Sequence, residues 1–350
     1  MNILIRADSS SLIGSGHLMR CLTLAERHRK SGDMVTFVCR DLDGNYSKLV
    51  KENKFYLVLL PKVAYDENLI GYAKWLTVPQ EQDALETVEE IKKLDKVQRV
   101  VVDSYAIDEK WEKIVRPYTN EIFVIDDLAN RVHDCDFLLD QDLYDNMEQR
   151  YNGLVPEHCK KMLGPRYALL REEFYKAREN QIPRKSDVRN ILIFYGGVDS
   201  TDETTKAIKA LIEMRDCLED ITVDVIVGAN NSQKNVIKSI CERPDNNWIS
   251  YHEQVNNIAE YMCRADLMLG AGGTTMWERC FLGLPSIVTA VAENQIASCK
   301  IAHSKQLIDY IGVWNEVTEK DMEKNISQYM NSLKIKTMQD SIKRNFIDLL

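Results

Sequence analysis

The stretch IRADSSSLIGSGHLMRCLTLAE, residues 5–26, carries the pattern that decides the fold. An apolar strand runs into a loop with two glycines, and the loop leads into an amphipathic helix, an order typical of a parallel α/β sheet. A dinucleotide-binding loop would read G-x-G-x-x-G, but the third glycine position is Met19, so that fingerprint fails. Arg40, rather than an acidic residue, follows the second apolar run, which weakens an NAD interpretation and leaves NADP a poor alternative. The segment therefore favours an α/β fold whose loop serves another ligand.

Short apolar runs alternate with amphipathic helical segments along the whole chain. Strands that are apolar at consecutive positions are typical of a parallel sheet covered by helices on both faces. The runs lie at 2–7, 34–39, 55–60, 99–104, 121–126 and 135–140, and then at 189–196, 221–228, 265–270 and 285–291. The pattern predicts two doubly wound, Rossmann-like α/β domains that face each other across a cleft, with a ligand at the carboxyl ends of the strands.

The break between the two series of strands sets the predicted domain boundaries. Charged residues followed by Pro and Lys indicate a connecting helix and linker between the two series. The final amphipathic stretch is predicted to form a terminal helix that packs back on the first domain. The predicted divisions are a first domain at 1–165, a linker at 166–187, a second domain at 188–335 and the terminal helix at 336–350.

Composition restricts the classes of partner. The chain has 350 residues, a net charge of −9, and 45% hydrophobic and 28% charged residues, values typical of a globular protein. The acidic balance argues against nucleic acid or an anionic membrane as the main partner. Nine cysteines without CxxC pairs, and an N-terminus without a secretory apolar region, favour reduced thiols and a cytoplasmic location. The sequence does not set an oligomeric state, and a monomer is compatible with it.

His17 is the unusual residue of the first loop, because it opens the helix where a dinucleotide loop would keep bare backbone. The positive end of the helix dipole disfavours imidazolium, so we expect a neutral ring that accepts a proton from water or a hydroxyl group. The alternative is a histidine that only caps the helix or packs under the loop. The position of His17 at the mouth of a predicted ligand site makes a catalytic role the sharper hypothesis.

A second glycine-rich loop follows a strand in the other half of the chain. The segment 269–278, LGAGGTTMWE, predicts a helix start ready to bind an anion, with Glu278 about one turn inside that helix. Glu278 is a candidate for the two hydroxyls of a ribose, or an ordinary solvated helix acid. Asn294, in the sequence ENQ after the next strand, is a candidate ligand contact or a plain helix N-cap.

These loops carry a resemblance to a known family. G-x-G-H in the first half, with GGTTMWE and ENQ in the second, resembles the GT-B group of UDP-sugar enzymes. Within that group the chain resembles a narrower set, the UDP-2,4-diacetamido-2,4,6-trideoxy-β-L-altropyranose hydrolases of pseudaminic acid biosynthesis and the related spore-coat polysaccharide proteins. The segments that carry this likeness are RADSSSLIGSGHLMRCLTLA, VVDSYAID, IDDLANRVHDCDFLLDQ, YNGLVP and GPRYALLREEF.

The resemblance implies a role for nine residues. It makes His17 the catalytic base that activates water, and it implies a GT-B fold. Tyr105 and Asn294 match the sugar-contacting tyrosine and asparagine of the family. The remaining matches are substrate-binding: Gly16, Gly272, Gly273 and Thr274 at the diphosphate, Ile258 at uracil through its backbone, and Glu278 at the ribose.

The predicted function is that of a UDP-sugar hydrolase. Water activated by His17 would attack the anomeric carbon, with C–O cleavage and inversion, and two helix starts would stabilise the leaving UDP without a metal or other cofactor. The expected ligands are a UDP-sugar substrate and the UDP product, with no nucleic acid and no membrane. Two alternatives stay open: a GT-B glycosyltransferase that uses a UDP-sugar donor for a surface or spore-coat polysaccharide, and a nucleotide-sugar binding module without catalysis.

Overall fold

Two parallel β-sheets organise the chain, one in each half. The computed structural model describes residues 1–64, 67–218 and 220–347. The chain divides into two compact units, unit 1 at Met1–Leu169 and unit 2 at Leu170–Leu350. Within the described ranges, no helix has the length and apolar character needed to cross a membrane.

Unit 1 is a seven-stranded parallel sheet with helices in the connections. Its strand order is β3-β2-β1-β4-β5-β6-β7, so the chain first winds toward one edge and then reverses at β1. The elements are β1 (Asn2–Ala7), α1 (Gly16–Lys30), β2 (Met34–Arg40), α2 (Lys48–Glu52), β3 (Tyr56–Leu60), α3 (Gln80–Lys93), β4 (Arg99–Asp103), α4 (Glu109–Val115), β5 (Glu121–Ile125), β6 (Phe137–Asp140) and β7 (Lys160–Leu163).

Unit 2 repeats the same plan with six parallel strands. The strand order is β10-β9-β8-β11-β12-β13, with the reversal between β8 and β11. The elements are α5 (Glu172–Glu179), β8 (Asn190–Phe194), α6 (Glu203–Glu213), β9 (Thr222–Val227), α7 (Lys234–Cys241), β10 (Ile249–Glu253), α8 (Ile258–Arg264), β11 (Leu267–Ala271), α9 (Thr275–Phe281), β12 (Ser286–Ala290), α10 (Glu293–Ser304), β13 (Asp309–Val313), α11 (Glu319–Tyr329) and α12 (Ser332–Asn345).

A buried ion-pair cluster ties the first two strands of unit 1 to α3. Asp83 accepts hydrogen bonds from Nε and Nη2 of Arg6 at 3.0 and 2.7 Å, and from Nη2 of Arg40 at 2.7 Å. The indole nitrogen of Trp111 donates to the same carboxylate at 3.0 Å. The side chains of Arg6, Arg40 and Asp83 have no solvent exposure. Because buried charges need partners, this cluster positions β1 and β2, and with them the loop that follows β1.

The fold class predicted from the sequence, two doubly wound parallel α/β domains, is confirmed by these two sheets. Three strands are absent from the predicted apolar runs: β7, β10 and β13. Each is the outermost strand of its sheet, and each contains half-buried or exposed positions. An outermost strand can carry polar residues, as β7, β10 and β13 do, whereas β3, which is also outermost, keeps an apolar run and was predicted.

Residues 170–187 of the predicted linker and the described part of the predicted terminal helix, 336–347, fall within unit 2, whereas linker residues 166–169 fall within unit 1. Helix α5 packs against α8 and α9. In α12, Asn345 donates to the carbonyl oxygen of Lys305 at 3.0 Å, and the ring of Phe346, just beyond the helix, stacks on Trp277 at a centroid distance of 5.8 Å. Residues 348–350 of the predicted terminal helix lie outside the described residues. Packing of this helix on unit 1 stays a prediction.

Candidate active site

His17 lies in the first turn of α1, directly after the loop that follows β1. Its side chain is largely buried, and its Nδ1 atom lies 2.6 Å from Oδ1 of Asp103, the last residue of β4. Strands β1 and β4 are paired so that Ala7 stands beside Asp103, which brings the start of α1 and the end of β4 to the same edge of the sheet. With a carboxylate at Nδ1, the neutral ring carries its proton there and presents the lone pair of Nε2.

The loop before His17 is shaped by its own short side chains. Ser10 accepts hydrogen bonds from the backbone N–H groups of Leu12 and Ile13 at 3.1 and 3.0 Å. Gly14 donates to the carbonyl oxygen of Ser10 at 2.8 Å and has φ +79°, a backbone conformation that favours glycine. This turn is followed, after Ser15, by Gly16, the first residue of α1.

Arg20 holds the carboxylate of Asp103 from the same face of α1 as His17. Its Nε and Nη2 atoms lie 2.6 and 2.7 Å from the two oxygens of Asp103, and its Nη1 lies 2.8 Å from Oδ2 of Asp127. Burial alone would raise the pKa of the Asp103 carboxyl, but the Arg20 guanidinium and the His17 imidazole outweigh burial, and that pKa lies well below its usual value. Asp103 is therefore an anion at neutral pH, fixed in place by a two-pronged contact.

Tyr105 contacts both Asp127 and His17. Its hydroxyl donates to Oδ1 of Asp127 at 2.5 Å, and its ring meets His17 edge to face at a centroid distance of 4.7 Å. Burial and the charge of Asp127 raise the pKa of Tyr105, so that it stays a neutral phenol. His17, Arg20, Asp103, Tyr105 and Asp127 form one connected set, called the His17 network below.

Two aromatic residues from the segment before α3 cover the His17 network. Trp75, in a short 3₁₀ helix at Gly71–Leu76, stacks on Tyr105 at 5.2 Å and meets His17 edge to face at 5.4 Å. Tyr72 contacts both Trp75 and Tyr105 and is partly exposed. Aromatic walls with a few placed polar groups are typical of small-molecule sites. The surroundings of His17 therefore combine a base with an apolar surface.

The predicted diphosphate segment of unit 2, residues 272–274, joins β11 to α9 and is called the glycine turn below. A Cβ atom on Gly272 would lie 2.2 Å from Sγ of Cys299, so a larger residue does not fit against α10. Gly273 faces the side chain of Gln295, whose amide nitrogen would lie 3.5 Å from a Cβ at that position. Small residues at a strand-to-helix turn allow a ligand to approach backbone N–H groups closely.

Glu278 is in α9, and an arginine holds its carboxylate. Nε of Arg171 lies 2.9 Å from Oε1 and Nη2 lies 3.2 Å from Oε2. Arg171 is also 2.7 Å from Glu173, whose pKa is raised to about 7, first of all by burial. Glu278 is thus a buried, paired carboxylate rather than the solvated helix acid that the sequence left as an alternative.

The other two predicted residues of unit 2 lie at the starts of helices. Ile258 is the first residue of α8, and its side chain is buried, which leaves its backbone as the part able to meet a base. Asn294 is the second residue of α10, and Ala292 occupies the N-cap position of that helix. The alternative that Asn294 is an N-cap is therefore wrong.

The structure groups the predicted residues within each unit. Gly16, His17 and Tyr105 come together in unit 1. Gly272, Gly273, Thr274 and Glu278 lie on one turn and helix of unit 2, Asn294 is next in sequence to the glutamine that faces this turn, and Ile258 is on a separate helix packed against β8 and α5. Within the described residues, no group of three or more His, Cys, Asp and Glu side chains is arranged to hold a metal ion.

Four residues of the site were missed from the sequence: Arg20, Asp103, Asp127 and Trp75. Arg20 follows His17 by three positions, the spacing that puts two side chains on one face of a helix. Asp103 is the last residue of β4, and Asp127 lies two residues after the end of β5, at the carboxyl ends of strands where parallel sheets collect functional side chains. Of the neighbouring pair at 126–127, Asp126 shapes its loop by accepting the N–H of Ala129 at 2.9 Å. Trp75 gave no signal, because its segment has no periodic pattern.

Comparison with known proteins gives this geometry a context. Residues 191–349 match the model of the glycosyltransferase family 28 C-terminal domain. The UDP-2,4-diacetamido-2,4,6-trideoxy-beta-L-altropyranose hydrolase of Campylobacter jejuni is 31% identical over 199 residues, which are 57% of this chain and 61% of that protein. The spore coat polysaccharide biosynthesis protein SpsG of Bacillus subtilis is 24% identical over 332 residues, which are 95% of this chain and 90% of that protein. This chain is their homologue.

The match covers only part of two curated relatives, and a solved structure shares the fold. The chain spans 57% and 61% of the length of the first two curated relatives it matches, the hydrolase being the second. The crystal structure of MurG from Acinetobacter baumannii aligns with 98% of this chain and 94% of its own, with a TM-score of 0.63 and 14% sequence identity. Similarity at that level concerns the fold, and it agrees with the GT-B class expected from the sequence.

Proposed function

We propose that this protein is a hydrolase that removes UDP from a UDP-linked 2,4-diacetamido-2,4,6-trideoxyhexose, the β-L-altropyranose isomer. The observation that carries the proposal is the contact of 2.6 Å between Nδ1 of His17 and Oδ1 of Asp103. This contact fixes the tautomer in which Nε2 accepts a proton. The hydrolase of Campylobacter jejuni supports the choice of substrate, because its name specifies that sugar nucleotide.

Unit 1 supplies the base in this proposal. Nε2 of His17 takes a proton from water, and Asp103 stabilises the imidazolium that results. Arg20 keeps Asp103 ionised and prevents its carboxylate from rotating away from the ring. Tyr105 and the aromatic residues near His17 offer the surface against which the sugar rests.

Unit 2 binds the nucleotide in this proposal. The N–H groups of the glycine turn hold the diphosphate, Glu278 accepts hydrogen bonds from the ribose, and the backbone at Ile258 contacts the uracil. Asn294 contacts the sugar, in line with the resemblance. A negative diphosphate suits a strand-to-helix turn, since N–H dipoles there stabilise the charge that develops on the leaving group.

The proposed reaction balances without a cofactor. The oxygen of water forms a bond to the anomeric carbon while His17 takes one of its protons. The bond between the anomeric carbon and the oxygen of the β-phosphate breaks, and its electron pair leaves with UDP. Attack from the side opposite to the leaving group inverts the configuration of the sugar. A cytoplasmic location and independence from metal ions belong to this proposal.

A glycosyltransferase is the second candidate, favoured by the match of residues 191–349 to the glycosyltransferase family 28 C-terminal domain. In that case His17 would remove the proton of an acceptor hydroxyl instead of a water proton, with the same role for Asp103. The two activities share a base and a leaving group, so the acceptor distinguishes them.

Product analysis in ¹⁸O-labelled water tests the proposal. The protein is incubated with the UDP-2,4-diacetamido-2,4,6-trideoxyhexoses, with and without added sugar acceptors. A hydrolase releases UDP without an acceptor and places the label in the free sugar and not in UDP. Release of UDP only with an acceptor would show a transferase. Binding of the substrate without release of UDP under either condition would show a binding module.

A further inference from the structure

Arg279 is a buried arginine at the end of β11, the strand that leads into the glycine turn of unit 2. It is on α9, one residue after Glu278, and has no solvent exposure. Its Nη2 atom donates to the carbonyl oxygen of Ala271 at 2.8 Å, at the last residue of β11. Its Nη1 atom would lie 3.1 Å from a Cβ placed on Gly270. The guanidinium therefore contacts the end of the strand from which the glycine turn departs.

The hydrogen bonds of this guanidinium are incomplete. Within the parts of the chain that the structure describes, Nε and Nη1 of Arg279 are buried without a hydrogen-bond partner, and the side chain forms no ion pair. Glu278, its neighbour in sequence, gives both carboxylate oxygens to Arg171 instead. Burying a cation without a counter-charge costs free energy, so we expect another interaction to offset that cost.

Arg184, a half-buried arginine of unit 2, shows a more complete set of hydrogen bonds. Arg184 donates to the backbone carbonyl oxygens of Met262 and Leu282 at 2.8 and 3.2 Å, and its Nη1 also reaches that of Ala265. Carbonyl groups thus satisfy its guanidinium on several sides. Arg279 has one such bond, which makes it the contrasting case.

The end of β11 is built to admit the guanidinium of Arg279. A Cβ atom on Gly270 would lie 2.8 Å from the carbonyl oxygen of Phe194 as well as 3.1 Å from Nη1 of Arg279. Any larger residue at position 270 would displace one of these groups. Burial lowers the pKa of Arg279, but a guanidinium remains protonated at neutral pH. A permanent positive charge therefore lies beside the end of this strand.

We infer that Arg279 is a positioning residue for a diphosphate bound at the glycine turn, and that the diphosphate supplies the counter-charge that this guanidinium lacks. The inference rests on the proposed binding of UDP at residues 272–274. The bond to the carbonyl of Ala271 sets the orientation of the peptide that opens the turn, and with it the N–H groups that follow. The positive charge acts on the phosphates through the backbone of the turn, where a low dielectric strengthens the attraction.

Paired calorimetric titrations with UDP and uridine test the inference. Uridine lacks the phosphates, so its affinity shows whether the nucleoside site is folded and intact. The ratio of the UDP affinity to the uridine affinity then isolates the contribution of the diphosphate. For Arg279→Met we expect UDP affinity to fall about 10- to 100-fold, a loss of the size expected for one partly screened charge near a phosphate, with uridine affinity within about threefold. Arg279→Lys keeps the positive charge but lacks the planar guanidinium, so we expect the UDP affinity to fall by about threefold while the uridine affinity stays unchanged.

Arg184→Met is the matched control, since it removes the positive charge of a half-buried arginine from the same unit. Its UDP-to-uridine ratio should equal that of the unsubstituted protein, whatever its thermal stability. An unchanged ratio in Arg279→Met or Arg279→Lys would overturn the inference, and so would equal losses of both ligands. If Arg279→Met does not fold, the ratio in Arg279→Lys decides. Failure of the unsubstituted protein to bind UDP would instead refute the proposed function.

Discussion

Nδ1 of His17 lies 2.6 Å from Oδ1 of Asp103, and Arg20 holds both oxygens of the same carboxylate. A second histidine–carboxylate pair on α1 lies at its opposite end, where Nδ1 of His28 is 2.8 Å from Oδ2 of Asp33. Among the residues that the structure describes, the second pair lacks the arginine fork and the aromatic cover of the first. This contrast supports the proposed proton transfer at His17, whereas the His28 pair lies at the end of a helix.

Replacing His17 by alanine tests the base. We expect His17→Ala to lower kcat by about 10²- to 10⁴-fold, because the substrate water loses its proton acceptor. UDP affinity should stay within about twofold, since the proposed nucleotide site lies in unit 2. Stopped assays for released UDP and calorimetric titration with UDP measure the two quantities. His28→Ala is the matched control, and normal hydrolysis by His17→Ala would remove the mechanism.

Replacing Asp103 by asparagine tests the tautomer. The amide in Asp103→Asn would no longer require a proton on Nδ1 of His17, and it carries no charge to stabilise imidazolium, so kcat should fall by about 10²- to 10⁴-fold with little change in KM. Steady-state kinetics give both values. Asp33→Asn makes the same change at the His28 pair and should leave kcat unchanged. Equal kcat values for Asp103→Asn and the unsubstituted protein would show that Asp103 has only a structural role.

Replacing Tyr105 by phenylalanine tests the hydrogen bond between Tyr105 and Asp127 in the His17 network. The substitution removes the hydrogen bond to Asp127 and keeps the ring against His17, so kcat/KM should fall about 10- to 100-fold, the effect of one lost buried hydrogen bond to a charged group. Tyr144→Phe is the control, because its hydroxyl reaches only the backbone oxygen of Asp127 at 3.4 Å. A larger loss in Tyr144→Phe than in Tyr105→Phe would contradict the assignment.

The sequence predicts the central strands of both sheets well, because residues such as Ile3, Leu4 and Ile5 are buried on both faces of a strand and leave a continuous apolar run. It misses the edge strands β7, β10 and β13, which carry polar residues, although it finds the apolar edge strand β3. His17 is predictable from its place after a glycine loop. Its partner Asp103 is 86 positions away and becomes visible only when β1 and β4 are known to be neighbours. The pairing of β1 with β4, which no local sequence pattern shows, brings the residues of the site together.

The buried carboxyl group of Asp140 should make the stability of unit 1 depend on pH. Burial, followed by the charges of Asp142 and Asp127, raises the pKa of Asp140 to about 8, whereas an unfolded aspartate titrates at about 3.9. Between these values the folded state keeps a proton that the unfolded state has lost. The free energy of unfolding should therefore fall as pH rises from about 4 to about 8.

Asparagine at position 140 should flatten that dependence. Asp140→Asn mimics the protonated group, so its stability relative to the unsubstituted protein should be greater at pH 8 than at pH 5, as measured by urea unfolding. Asp136 offers the opposite case: burial would raise its pKa, but the Arg116 guanidinium and other contacts lower it overall. Asp136→Asn should give no such gain at pH 8. Parallel pH profiles for Asp140→Asn and the unsubstituted protein would refute the assignment.

The buried cluster around Asp83 should dominate the stability of unit 1. Asp83→Ala leaves the guanidinium groups of Arg6 and Arg40 without their shared carboxylate, in a region with no solvent exposure. Breaking a buried pair by removing one partner costs about 3–5 kcal/mol, so we expect a loss of that size in the free energy of unfolding. Glu86→Ala is the control, because Glu86 also contacts Arg40 but is partly exposed, and its loss should cost about 1 kcal/mol or less. Urea unfolding followed by tryptophan fluorescence measures both, and similar losses for the two variants would mean that Arg6 and Arg40 do not depend on Asp83 for their charge compensation.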